Sequence, residues 1–265
     1  MITKKMVGVV ILLIFFGATS CAHNNTTRPD IKQVLPRKAF VHLEKTLIIN
    51  SCKQDKSCME MKFRSAASGF IIDKQLDGVF IITAAHFCEN SMRPAGKNIN
   101  ISASYKAIRL DGHVFNAVLL HYQRDIDVCL MYSKGMTENI NVVGISPRKP
   151  EPGEKIFNIA APASIVGPNM VPIIEGRYNG EIGNASFYTL PAYPGSSGSM
   201  ILNEKGELIG MVHSVYMNFN TISLSTRYED LKVFIKTYLD KFILYKDVMG
   251  ELNLNDIFVI HPIKI

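Results

Sequence analysis

In the C-terminal third of this 265-residue chain, the run Tyr193-Pro194-Gly195-Ser196-Ser197-Gly198-Ser199 sets a serine between glycines. Glycine lets the backbone turn sharply and leaves neighbouring N–H groups unobstructed, so those groups can converge beside the Ser197 hydroxyl. A serine hydroxyl is a weak nucleophile near neutral pH and needs a base to take its proton as it attacks a carbonyl. An upstream segment offers that base: the apolar run Gly78-Val79-Phe80-Ile81-Ile82-Thr83-Ala84-Ala85 ends at His86, as if a buried strand delivered an imidazole to its exit. Asp127 stands at the mouth of a second apolar run, Val128-Cys129-Leu130-Met131. From there its carboxylate would accept from the other ring nitrogen and fix the tautomer. The N–H groups of Gly195 and Ser197 would hold a tetrahedral oxyanion, one such donor being worth about 3 kcal/mol. Asp125 is a rival carboxylate, and Ser196 and Ser199 are rival hydroxyls. Only Asp127 directly precedes the apolar run, and only Ser197 has glycine immediately after it and another two residues before.

The order His86, Asp127, Ser197 and the wording of all three segments resemble the trypsin-like serine peptidases of chymotrypsin fold. Thr83-Ala84-Ala85-His86 is similar to that family's T-A-A-H, Asp127-Val128-Cys129-Leu130-Met131 to its D-[IV]-A-[LV]-L strand, and Gly195-Ser196-Ser197-Gly198-Ser199 to its G-x-S-G-[GS]. The resemblance runs from about Ala39 to about Leu239 and is closest to the Deg-type, glutamyl-endopeptidase and viral branches. It implies a serine endopeptidase working through an acyl-enzyme, with His86 as base and acid, Asp127 as orienting carboxylate and Ser197 as nucleophile. It implies a protein or peptide substrate and no metal or organic cofactor.

By the same resemblance the pocket for the residue before the cut bond is lined near Thr189 and Ala192 and by the strand around His213, Ser214 and Val215. His213 suggests the histidine that reads acidic side chains in glutamyl endopeptidases. It falls one residue late, however, and one residue turns a strand's side chain to the other face. Met200 stands where the family usually has proline, and Ser199 where trypsin-like members have glycine. The run also fails the G-x-S-x-G elbow of α/β-hydrolases, because position 199 is serine, which argues against a lipase or esterase. In trypsin-type zymogens a freshly cut Ile-Val-Gly-Gly terminus pairs with an aspartate immediately before the nucleophile. Here that residue is Ser196 and no Ile-Val-Gly-Gly occurs, so the Gly195 loop must be ordered by other contacts and the protein is expected to be competent once folded. The competing class is a catalytically silent binding lipoprotein on the same fold.

The elements that position these residues read as all-β. Short Val/Ile/Phe/Tyr-rich runs separated by Gly/Asn/Asp turns predict strands at 40–49, 63–72, 79–84, 99–110, 114–121 and 128–132. A proline-bearing link over 147–152 precedes a second series at 155–160, 171–178, 181–190, 200–202, 208–215 and 221–225. The expected architecture is two antiparallel six-stranded β-barrels, over 39–133 and 153–240, closed by a C-terminal α-helix. Leu231, Phe234, Ile235, Tyr238, Leu239 and Phe242 fall on one helical face behind the capping box Thr226-x-x-Glu229, and this helix is expected on the second barrel. Residues 241–265 form an extension with a further strand over 256–265.

Lys4 and Lys5 lead into an apolar run over 6–16 that is too short for a comfortable membrane span, followed by Gly17-Ala18-Thr19-Ser20-Cys21. That end resembles a bacterial lipobox. It implies a signal peptide over 1–20, cleavage before Cys21, a lipid anchor on its thiol and a polar tether over 21–38. An uncleaved anchor or ordinary signal cleavage are the alternatives. The expected location is the cell envelope, at the periplasmic face of a bacterial membrane as a lipoprotein, or outside the cell. Of the chain's 5 cysteines, four remain for two disulfides if Cys21 is acylated. Cys52 and Cys58 suit a bridged hairpin tip; Cys88 and Cys129 would tie the two catalytic segments together or stay as buried thiols. The net charge of +6 is spread along the chain with no aromatic-interleaved basic run, which speaks against nucleic-acid binding. Nothing in the sequence sets the oligomeric state.

Overall fold

The computed structural model describes residues 35–52, 58–89, 99–216 and 219–249. The expected signal peptide, Cys21, most of the tether and the strand over 256–265 lie outside the described residues, as does the Cys52 side chain. Among the described residues no helix is long and apolar enough to cross a membrane. At the end of the expected tether, Leu35 is buried and the Arg37 guanidinium donates to the Asn169 C=O (3.1 Å).

Six strands close the first barrel: β1 (Phe40–Cys52), β2 (Cys58–Lys74), β3 (Gly78–Ala84), β4 (Ile99–Arg109), β5 (Val114–Gln123) and β6 (Val128–Lys134), in the order β1-β2-β3-β6-β5-β4. Alternation along the strands sorts their apolar side chains onto two faces. Val41, Leu43, Val79, Ile81, Tyr105 and Met131 pack among themselves inside the barrel. Phe40, Phe70, Phe80, Ile82 and Leu130 belong to a second cluster that continues through Phe157, Ile159, Leu202 and Met211 into the C-terminal helix. The two halves of the molecule therefore share one core. At the far end of the β1–β2 hairpin the register sets Cys52 opposite Cys58, and Cys58 is disulfide-bonded.

The second half is a seven-stranded sheet of β7 (Lys155–Ile159), β8 (Ile173–Ile182), β9 (Ala185–Thr189), β10 (Met200–Leu202), β11 (Leu208–Met211), β12 (Ser214–Tyr216) and β13 (Phe219–Thr226). Its order is β11-β10-β7-β8-β9-β13-β12, which corrects the expected second closed barrel of six. The segment 208–215, read as one strand, breaks at Val212-His213. Val212 turns its backbone to the serine loop: its C=O accepts from Gly198 N–H (2.7 Å) and its N–H donates to Ser199 C=O (3.0 Å). Before the break the segment pairs with β10 and after it with β13. The two edges of the sheet are thus the two halves of a single segment, which brings them together.

A helix, α2 (Tyr228–Met249), follows β13, with a four-residue α1 (Ala85–Cys88) after β3. The expected capping box does not form, because the Thr226 hydroxyl is buried and has no partner among the described residues. Instead Arg227 pairs with Asp230, and Glu229 and Asp230 place negative charge in the first turn, where the helix dipole favours it. Nor does α2 rest on the second half alone: Tyr238 stacks on His121 of β5 at 3.9 Å, and the Tyr228 hydroxyl donates to Ser146 C=O.

Candidate active site

Antiparallel pairing of β3 with β6 sets Ala84 against Val128 and Thr83 against Cys129. The residues just past the end of β3 therefore meet those just before the start of β6, and these are His86 and Asp127. Two hydrogen bonds join them and a third joins Asp127 to the preceding Ala85: Asp127 C=O accepts from Ala85 N–H (3.1 Å), Oδ1 from His86 N–H (2.8 Å), and Oδ2 lies 2.8 Å from His86 Nδ1. Asp127 reaches this pose with φ at +51°, a left-handed conformation that costs an ordinary residue energy and that aspartate tolerates better than most. A disulfide between Cys88 and Cys129 ties the same two segments together.

The turn that carries His86 is fastened from inside the barrel. A helix leaves its last carbonyls without internal partners. Here Lys45 of β1, only 7% exposed, donates Nζ to Phe87 C=O (3.0 Å) and Glu89 C=O (2.6 Å), and the Tyr105 hydroxyl donates to Cys88 C=O (2.6 Å). Burial pushes the Lys45 ammonium below the usual lysine range and the Tyr105 phenol up to about 12. An ammonium at the carboxyl end of a helix also meets the favourable end of its dipole. The imidazole itself stays half exposed.

Ser197 sits on the loop before β10. The loop's two special glycines are required by geometry. Gly195 has φ +97° and an added Cβ would lie 2.5 Å from Ala161 C=O; Gly198 has φ +82° and an added Cβ would lie 2.2 Å from both the Ser68 C=O and the Thr83 hydroxyl. Gly198 thus presses the serine loop directly against the end of β3, two residues from Ala85. Pro194 C=O accepts from Ala163 N–H (2.7 Å) and Ser196 C=O from Ser199 N–H (3.0 Å). In a trans peptide the N–H points opposite to the C=O, so the Gly195 and Ser197 N–H groups point away from those partners. Among the described residues neither has a protein acceptor, which leaves both for an oxyanion. No hydrogen bond joins the His86 ring to the Ser197 hydroxyl among the described contacts; such bonds commonly tighten only with substrate in place.

The sequence matches the family described as "Trypsin-like peptidase domain" over residues 67–211, more than half of its length. The chain belongs to the trypsin-like peptidases. The matched stretch begins one residue before Ser68 and contains His86, Asp127 and Ser197. A comparison with curated proteins finds no match.

In this trypsin-like peptidase a cavity of about 430 Å³ opens beside the serine, lined by residues that include Ala192, Tyr193, Ser197, Val212, Val215 and Asn220. Ser214 lines it too, and none of its described lining residues is charged. Two of the residues expected there lie elsewhere. Thr189 is exposed on β9 and bonds to Asn179. His213 turns away from the cavity, to within 4.0 Å of Asp127 Oδ2, with the Ser214 hydroxyl 2.9 Å from its Nδ1. The backbone break at Val212 sets that direction, so Val212 faces the cavity and His213 the carboxylate.

Burial lowers the His213 pKa below the ordinary histidine value against the opposing pull of Asp127, and burial does the same to His42 on β1 against Glu44. A group whose folded pKa is depressed takes up protons more readily when unfolded. Its stabilising contribution is therefore present above about pH 6.5 and is lost as pH falls through the folded pKa. The melting temperature should accordingly drop as pH is lowered from 7.5 to 5, by about 2–4 °C for each kcal/mol lost. His42→Gln should flatten that drop. A difference between variant and parent that is constant across the range contradicts the assignment.

Sequence reasoning missed Lys45, Tyr105 and Ser68. Lys45 alone left a trace, as a cation at an inward position of an apolar, alternating strand.

Proposed function

We propose that this protein is a serine endopeptidase that cleaves after uncharged residues. His86 takes the Ser197 proton as the hydroxyl attacks the peptide carbonyl, Asp127 holds the ring and stabilises the imidazolium, and the Gly195 and Ser197 N–H groups receive the oxyanion. Protonated His86 then gives its proton to the leaving amine, and water resolves the acyl-enzyme by the same steps in reverse. The observation that carries this reading is the pair of bonds from the Asp127 carboxylate to the backbone and ring of His86, together with a serine whose own N–H and that of Gly195 have no protein acceptor among the described residues. The uncharged lining of the cavity, with His213 directed to Asp127, supports an uncharged side chain before the cut bond rather than glutamate. A peptidase domain implies a protein or peptide as substrate. The buried Cys88–Cys129 disulfide supports an oxidising compartment, in keeping with export and a lipid anchor at Cys21.

A fluorophosphonate probe followed by a peptide library tests the reading. Labelling of Ser197 is expected, with cleavage after uncharged residues at least about tenfold faster than after glutamate or lysine, a margin of about 1.4 kcal/mol. A folded protein that takes no label is the silent binding lipoprotein instead, and preferential cleavage after glutamate overturns the pocket assignment.

A further inference from the structure

Ser68 lies on β2 in the first barrel, fully buried, yet its hydrogen bonds reach the serine loop of the second half. Its N–H donates to Ser197 C=O (2.9 Å), and its hydroxyl donates to Gly195 C=O (2.8 Å). The same hydroxyl accepts from Ala161 N–H (3.0 Å), and its own C=O accepts from the Thr83 hydroxyl (2.7 Å). This one residue thus holds the carbonyls on both sides of Ser196, that of Gly195 through its side chain and that of Ser197 through its backbone. It is itself held by Ala161, next to the 3-10 turn Pro162–Ser164 whose Ala163 N–H binds Pro194 C=O.

Peptide planarity turns these carbonyl contacts into a statement about amides. For the Gly195 N–H to leave the oxyanion position, the Pro194–Gly195 peptide must rotate about the bonds on either side of it. Pro194 C=O is anchored to Ala163, and beyond Gly195 the next carbonyl is anchored to Ser68. A left-handed glycine is otherwise free to change conformation at little cost. We infer that Ser68 is the positioning residue of the oxyanion loop: its hydroxyl fixes Gly195, and with it the Gly195 N–H, in the donating orientation as soon as the two halves pack. The loop is then ordered by folding and needs no freed N-terminus. The catalytic part of this inference rests on the peptidase reading; the structural part rests on the hydrogen bonds alone.

Two readouts on the full chain separate those parts. In Ser68→Ala the amide hydrogen exchange of Ser196, Gly198 and Ser199 should quicken at least about tenfold, with strands β8 and β9 unchanged, since local opening is read independently of the global fold. In steady-state cleavage of a peptide found by the library, kcat should fall by about 10²-fold with KM changed less than threefold, because a misdirected oxyanion donor costs transition-state and not ground-state binding. Ser68→Cys keeps the size and a weak donor, and serves for both readouts if the alanine variant does not fold. It should fall between alanine and serine. Unchanged exchange in the loop overturns the inference. So does a variant whose kcat is within twofold of the parent, or one in which only KM rises. If the parent takes no fluorophosphonate label while loop exchange responds as stated, the fastening role stands and the peptidase reading has failed by itself.

Discussion

Ser197→Ala is expected to abolish fluorophosphonate labelling and to lower peptide turnover by about 10⁶-fold, because nucleophile and base act as a unit and little remains once either is removed. The size of the effect depends on no neighbour taking over. Ser196 is 1% exposed and its hydroxyl accepts from Tyr193 N–H (3.3 Å); Ser199 is 0% exposed and its hydroxyl accepts from Asn158 Nδ2 (2.8 Å). Both rival hydroxyls are buried and engaged; Ser196 borders the cavity as Ser197 does, but only Ser197 combines that position with an N–H of its own that has no protein acceptor among the described residues. The measurement is mass spectrometry of the labelled peptide together with turnover of the best library substrate. Label that persists, or that moves to Ser196, rejects the nucleophile.

Asp127→Asn should lower kcat by about 10⁴-fold while leaving the fold intact. Asparagine tolerates the left-handed backbone that this position requires, so the change is one of hydrogen-bonding roles. Both carboxylate oxygens now face donors, the His86 backbone N–H and the ring. An asparagine has one acceptor and one donor group. The backbone N–H cannot change role, so the amide must turn its NH₂ to the ring. Nδ1 then becomes an acceptor and the proton moves to Nε2, the nitrogen that should receive the serine proton. Saturating-substrate rates at neutral pH, with circular dichroism to check the fold, decide the matter. A loss smaller than about tenfold removes Asp127 from the mechanism.

The part of the site that is legible in the sequence is the part with distinctive chemistry. An imidazole at the end of an apolar run, a carboxylate at the start of another and a serine in a glycine turn have few other reasons to occur in that order. The strands follow from their alternation: β10 begins and ends where the sequence places it, and β3 and β6 differ by two residues or fewer at either end. What the sequence does not disclose depends on where backbone groups point. The stretch 208–215 has an unbroken strand pattern, and only the bonds of Val212 to Gly198 and Ser199 divide it, sending His213 towards Asp127. Ser68 is a hydroxyl in a strand, chemically identical to many that do nothing; its partners are 93 and 127 positions away in the chain. Thr226 heads a sound capping motif and is overruled by tertiary burial.

The base and its carboxylate both belong to the first barrel, whereas part of the backbone that holds the serine loop, that of Val212, lies beyond the nucleophile itself. A ribosome delivers residues in order, at about 5–20 per second. The residues of the His86–Asp127 pair are therefore made some seconds before Ser197, and Ser197 before the Val212 backbone that bonds to its loop. Any chain interrupted short of Val212 lacks the bonds that hold Gly198 and Ser199, the residues that follow the nucleophile. On the peptidase reading, the site is therefore complete only in copies whose synthesis has passed Val212, so the order of the residues along the chain itself delays activity.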